Sequence, residues 1–101
     1  MKDRFEKQAY EEFVITADFA KNMAPGETVA SQTVVARDVE GTTVSDTVTD
    51  QGTVTSDGST KVAILVRAGE TGKSPYKITF RCVTSAGNKW EHDVFMRVIE
   101  V

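Results

Sequence analysis

The chain has 101 residues, 40% of them apolar, with 15 acidic and 12 basic side chains and a net charge of −3. That length supports one packed core and is too short for separate catalytic and cofactor domains, and the mild acidity argues against a basic nucleic-acid surface. The single Cys82 excludes an intrachain disulfide and a multi-cysteine zinc site, and no stretch approaches about 18 consecutive apolar residues or a signal-peptide core, so a soluble, cytoplasmically made protein is the expectation.

Valine (14) and threonine (13) dominate, against the single Leu65. β-Branched side chains suit a pleated, half-buried surface better than a helix, so the expected class is all-β. Turn residues at Pro25-Gly26, Gly41, Gly52, Asp57-Gly58, Gly69, Gly72, Pro75 and Gly87 punctuate the chain as in a two-sheet antiparallel sandwich of about seven strands.

The segment 1–11 is highly charged, yet Phe5, Ala9 and Phe13 recur at four-residue spacing, as on one helical face. Two readings stand for it: a frayed end or short capping helix, and an arm docking on a neighbouring subunit through Phe5 and Tyr10. The sandwich domain is expected over 12–101. Residues 12–19 alternate as a strand, with Phe13, Ile15, Ala17 and Phe19 on one face. A turn at Pro25-Gly26 leads into a strand over 28–37, whose inward face is ambiguous because Val29/Val35 and Ala30/Val34 compete. Short Thr-rich strands follow at 42–49 and 53–56, their polarity suiting edge positions. Residues 61–68 present Val62, Ile64 and Val66 to one side, 69–75 form a loop, and strands over 76–84 and 89–101 close the chain.

A three-residue loop Ala86-Gly87-Asn88 registers that last hairpin. It sets Tyr76 opposite Val98, Ile78 opposite Met96, Phe80 opposite Val94, Cys82 opposite His92 and Arg81 opposite Asp93, keeping the apolar side chains together. Val83, Phe95 and Ile99 then point outward, a second apolar surface that implies a partner, either another element of the domain or a neighbouring molecule.

No catalytic constellation stands out. His92 is the single histidine, and its expected neighbour Cys82 offers a nucleophile and base without a cleft, oxyanion donors or a third orienting group. Packed strand neighbours are the simpler account. Asp46, Asp50 and Asp57 match no calcium-loop spacing and read as turn formers. The Gly72-Lys73-Ser74 triplet lacks the earlier glycine of a phosphate-binding loop, since Arg67 stands at that place, and no helix is expected after it. No cofactor, metal or small-molecule site is assigned.

Three stretches carry a resemblance: Val62-Ala-Ile-Leu-Val-Arg-Ala-Gly69; Gly72-Lys-Ser-Pro-Tyr-Lys-Ile-Thr-Phe-Arg-Cys-Val-Thr-Ser-Ala-Gly87; and Trp90-Glu-His-Asp-Val-Phe-Met-Arg-Val98. Together they resemble small tailed-phage and prophage proteins of the virion neck and tail, immunoglobulin-like sandwiches known as collar or fibre–tail adaptor proteins. The Pro25-Gly26-Glu27 turn with Val29 and Ser31 is more loosely similar to the first half of the pattern. Many relatives carry Trp where this chain has Leu65, and Trp90 and His92 stand here among the charges of the final strand. Phe80-x-Cys82 followed by Ser85-Ala-Gly87 also resembles the sixth strand of ordinary immunoglobulin domains, without the partner cysteine.

The resemblance implies a non-enzymatic virion protein that assembles into a ring or collar and attaches fibres or neighbouring tail and neck proteins. It implies self-association and contacts with other virion proteins, and no nucleic-acid, membrane or small-molecule partner. The rival is an adhesion or carbohydrate-binding module displayed on a cell surface or fibre. Phe5, Tyr10, Val83, Phe95 and Ile99 are the interface candidates.

Overall fold

Alternation of apolar and polar side chains gives each long strand one face that must leave water, and two sheets meeting on those faces satisfy it. A computed structural model describes residues 3–100. Its strands are β1 (Asp3–Gln8), β2 (Phe13–Asp18), β3 (Val29–Arg37), β4 (Thr49–Ser56), β5 (Lys61–Val66), β6 (Tyr76–Thr84) and β7 (Lys89–Ile99), with one short helix, α1 (Ser45–Val48). They form a four-stranded sheet of order β1-β7-β6-β3 and a three-stranded sheet of order β2-β5-β4. Between the sheets lie Val62, Ile64 and Val66 of β5, Tyr76, Ile78, Phe80 and Cys82 of β6, and Val94, Met96 and Val98 of β7, all buried. Each such Val, Ile or Phe contributes about 1.5–3 kcal/mol on burial, so these three strands hold most of the apolar stabilisation.

The charged N-terminal segment is not helical over its described residues. Asp3–Gln8 is a strand, paired parallel to β7 with Phe5 beside Met96 and Lys7 beside Val98, which makes the four-stranded sheet mixed rather than antiparallel. Phe5 packs edge-on against Phe13 of β2 with ring centroids 5.6 Å apart, so it works within its own chain. Seven strands are present among the described residues, as expected, but two differences cancel in that count. The 42–49 segment, read as a strand, instead folds into α1, which buries Val48 and lets the Ser45 hydroxyl accept a hydrogen bond from the Ala36 amide at 2.9 Å. Residues 49–56 then run as one strand. The ambiguity in β3 also has a cause: the register with β6 shifts between Val29 and Ser31. An irregularity there switches the alternation, so Val29 is buried on one side of it and Val34 and Ala36 on the other.

The β6–β7 hairpin keeps the expected faces but not the expected partners. Tyr76 lies opposite Met96, Ile78 opposite Val94, Phe80 opposite His92, Cys82 opposite Trp90 and Arg81 opposite Glu91. The loop is Ser85-Ala86-Gly87: the Thr84 amide reaches the Asn88 carbonyl at 2.8 Å and Gly87 takes φ +84°. Glycine adopts that left-handed conformation at less cost than Asn88 would, and this preference moves the turn one residue toward the N-terminus.

Three charged residues, Lys7, Glu27 and Asp38, are nearly or fully enclosed among the described residues. Lys7 donates to the carbonyls of Gln8 (2.8 Å) and Ala9 (3.1 Å), and burial holds its ammonium below the ordinary lysine range against the opposing pull of Glu11 and Glu12. Glu27 clamps the turn before β3 to the β6–β7 hairpin, accepting from the Ala24 amide at 2.9 Å and the Asn88 side chain at 3.1 Å. The Thr84 hydroxyl, then the Ala24 amide, hold the Glu27 carboxyl below its ordinary range, burial opposes them, and Asn88 and Trp90 add smaller pulls. Among the described residues the buried indole nitrogen of Trp90 has no hydrogen-bond partner within geometric limits.

Two predictions concern stability. Gly69 sits at φ +101°, where an added Cβ would lie 2.8 Å from Val98 Cγ2, so Gly69→Ala is expected to destabilise by about 1–3 kcal/mol in urea unfolding. Because the folded Glu27 carboxyl titrates below its unfolded value, its contribution is present above about pH 4.3 and is lost as pH falls through the folded value. The acid-side fall in the urea midpoint should be shallower in Glu27→Gln than in the wild type.

Candidate attachment surface

The outward positions of the four-stranded sheet share one face. Along β7 they are Lys89, Glu91, Asp93, Phe95, Arg97 and Ile99, flanked on β6 by Lys77, Thr79, Arg81 and Val83 and on β1 by Arg4, Glu6 and Gln8. Cross-strand pairs rule the face. Arg81 Nε meets Glu91 Oε1 at 2.7 Å, Thr79 donates to Asp93 at 2.8 Å with Lys77 3.7 Å from the same carboxylate, and Arg97 meets Glu6 at 3.1 Å. Exposed pairs of this kind add at most about 1 kcal/mol each and weaken with salt. Their effect is geometric: they hold long side chains down across the strands and leave the apolar residues between them accessible.

Three of the interface candidates share this face and two do not. Phe95 lies between Arg4 of β1 and Lys77 of β6, half-buried, over a hollow also lined by Phe5, Glu6, Pro75 and Arg97. Ile99 follows on the same strand, beside Gln8. Val83 is at the other end, next to Ser31 of β3 and Lys89 of β7, where a second hollow takes in Thr33, Arg81 and Glu91. Phe5 instead faces inward. Tyr10 is 95% exposed in the connector between β1 and β2, flanked by Glu11 and Glu12 and close to Ala68. Sequence reasoning missed Val35, which lies beside Thr79 and is half-buried, because the face of β3 was undecided without its register. It also passed over Val14, 61% exposed on the three-stranded sheet, although alternation with Phe13 and Ile15 marked it as outward.

Cys82, His92, Asp50, Asp57 and the Gly72-Lys73-Ser74 triplet are placed in structural roles. Cys82 is buried opposite Trp90, two positions along from the expected His92, and burial first, then the Glu27 charge, push its thiol above the ordinary range while a Trp90 backbone hydrogen bond pulls it back. His92 packs against Phe19 with ring centroids 6.4 Å apart. Asp57 accepts from the amides of Ser59 (2.8 Å) and Lys61 (3.2 Å), which makes it a turn former, and Asp50 faces Arg67 at 3.8 Å. The Gly72-Lys73-Ser74 triplet lies at a single 3-10 turn, with Lys73 paired to Glu40 at 2.7 Å.

The family model described as podophage GP4 fiber-tail adaptor protein gp77 matches residues 7–97. The chain belongs to this fiber-tail adaptor family. A comparison with curated proteins gives no match. Membership extends the resemblance seen at 62–98 back to the end of β1, and it implies a structural role in a phage virion, in contact with other virion proteins, for a family that is typically non-enzymatic.

A thiol that is buried and pushed up in pKa is a poor nucleophile. Cys82 should therefore react slowly with a thiol reagent in the native protein and rapidly once urea has unfolded it. Fast native alkylation would revive a catalytic reading.

Proposed function

We propose that this adaptor is an immunoglobulin-like domain that joins a tail fibre to the phage tail, with copies arranged as a ring or collar and the outer face of β1-β7-β6-β3 as the attachment surface. The strand order supports the fold reading. Consecutive strands β2 and β3 lie in different sheets, β5 sits between β2 and β4, and β6 lies between β7 and β3, which matches the immunoglobulin arrangement except that the first strand joins β7. Tyr76, at the start of the sixth strand, accepts a hydrogen bond on its hydroxyl from the Glu70 amide at 2.9 Å, six residues upstream, which ties the loop to the strand.

The observation that carries the surface assignment is Phe95. An aromatic residue half-exposed on a sheet face, with Arg4, Lys77 and Arg97 around it, is the kind of anchor that interfaces concentrate their energy on. The surrounding carboxylates Glu6, Glu91 and Asp93 already have partners within the chain, so a neighbour covering the face meets compensated charges. Repetition around a ring multiplies a modest contact through effective concentration. Tyr10, projecting at the end of the sandwich, supplies a second contact.

Phe95→Asp should keep the wild-type thermal midpoint yet give virions that lack fibres in negative-stain images. Particles with a full set of fibres would overturn the surface assignment. An antibody against this chain should label the neck or tail, whereas absence of label from every particle would overturn the adaptor reading in favour of a displayed binding module.

A further inference from the structure

β1 closes one side of the four-stranded sheet and pairs with β7 alone. The Gln8 amide reaches the Glu11 carboxylate at 2.7 Å and its carbonyl accepts from the Glu11 amide at 3.0 Å, so these main-chain groups do not face β7. Strand alternation carries the corresponding groups of Arg4 and Glu6 to the same open side. Both side chains are exposed. Glu6 holds Arg97, and Arg4 makes no ion pair with another described residue.

An open edge invites pairing, and charged residues usually blunt it. Here the charges have a particular order. Asp3-Arg4-Phe5-Glu6-Lys7 reads acid, base, Phe, acid, base, and reversing it inverts every sign. A second copy laid antiparallel and centred on Phe5 therefore sets the exposed Arg4 and Glu6 of one chain opposite Glu6 and Arg4 of the other. The neighbouring registers that keep the same faces together do not: centring the pair on Arg4 opposes two cations, and centring it on Glu6 opposes two acids. Parallel in-register pairing opposes like with like at every charged position.

We propose that β1 pairs antiparallel with β1 of a second copy of this chain, centred on Phe5, joining two four-stranded sheets into one across a two-fold axis. Arg4 and Glu6 of each copy exchange main-chain hydrogen bonds with Glu6 and Arg4 of the other and form two symmetric ion pairs on the outer face. The half-exposed edge of Phe5, whose other side rests on Phe13, meets its counterpart across the close, non-hydrogen-bonded position. The ammonium of Lys7 stays enclosed on the carbonyls of Gln8 and Ala9 and takes no part. The ladder ends at Gln8, where Glu11 occupies the edge. Such a contact is isologous and closes at two copies, and it leaves Phe95 free for another partner. It stands apart from the adaptor reading, because it concerns the edge of the sheet and not its face.

Sedimentation velocity on the full chain tests it. The wild type should dimerise, and Arg4→Glu or Glu6→Arg, each checked for an unchanged thermal midpoint, should weaken dimerisation by about tenfold or more. Arg4→Glu breaks no ion pair with another described residue, so its effect reports on the interface. Mixing the two variants should restore dimers as heterodimers, since each then opposes the other with unlike charges. A monomeric wild type, unchanged dimerisation of Arg4→Glu, or a mixture that stays monomeric would overturn the pairing.

Discussion

The strand β6 is the constraint on which the rest of the structure depends. It lies between β7 and β3, and Tyr76, Ile78, Phe80 and Cys82 all turn into the space between the sheets. Even Thr79 and Thr84 are buried. A strand enclosed this completely cannot slip by one residue against either neighbour, because that would carry four core side chains to the outer face. Once β6 is placed, the positions of Phe95 and Val83 on the outer face follow, as does the contact between the Tyr76 hydroxyl and the Glu70 amide across the loop that leads into it.

The outer face combines two properties an attachment surface needs. Its charges are mostly neutralised in cross-strand pairs, from Arg81–Glu91 at one end to Arg97–Glu6 at the other, so a partner does not have to desolvate lone ions. Its apolar residues are spaced along β7, where the backbone is held on both sides by hydrogen-bonded neighbours. That rigidity suits a structural member of a virion, whose contacts must hold geometry more than change it. The same packing encloses Cys82, whose sulfur lies inside the sandwich.

β1 has a different character. It covers one flank of the core through Phe5, yet it also encloses Lys7 and leaves a row of main-chain groups along the sheet edge. A lysine whose ammonium is satisfied by carbonyls and not by a buried carboxylate is a costly residue to enclose. The strand is retained because its ladder with β7 and the aromatic contact with Phe13 offset that cost.

Alternation was legible wherever it was strict. Phe13, Ile15, Ala17 and Phe19 do share a face, and Val62, Ile64 and Val66 do point into the core. The faces of β6 and β7 were also legible, although their register was displaced by two residues, because a period of two is blind to an even slip. What separates the two registers is which residue takes the left-handed position in the loop, and Gly87 takes it in place of Asn88. β1 left no such trace, since Asp3–Gln8 contains neither a β-branched residue nor an apolar alternation. The short helix at Ser45–Val48 was hidden as well, because burial of Val48 and the bond from Ala36 to Ser45 come from β3 and not from local propensity.

The sequence by itself thus determined the β class, the inward faces of the regular strands and, through the motifs between Val62 and Val98, the kinship with fibre–tail adaptors. The tertiary structure decided which strands are neighbours, that the first strand runs parallel to the last, and where the outward residues fall relative to one another. The reason is the range of the interactions involved. Side-chain alternation is written in adjacent residues, whereas pairing between Asp3 and Val94 or between Ser31 and Val83 is chosen by the burial of the whole sandwich.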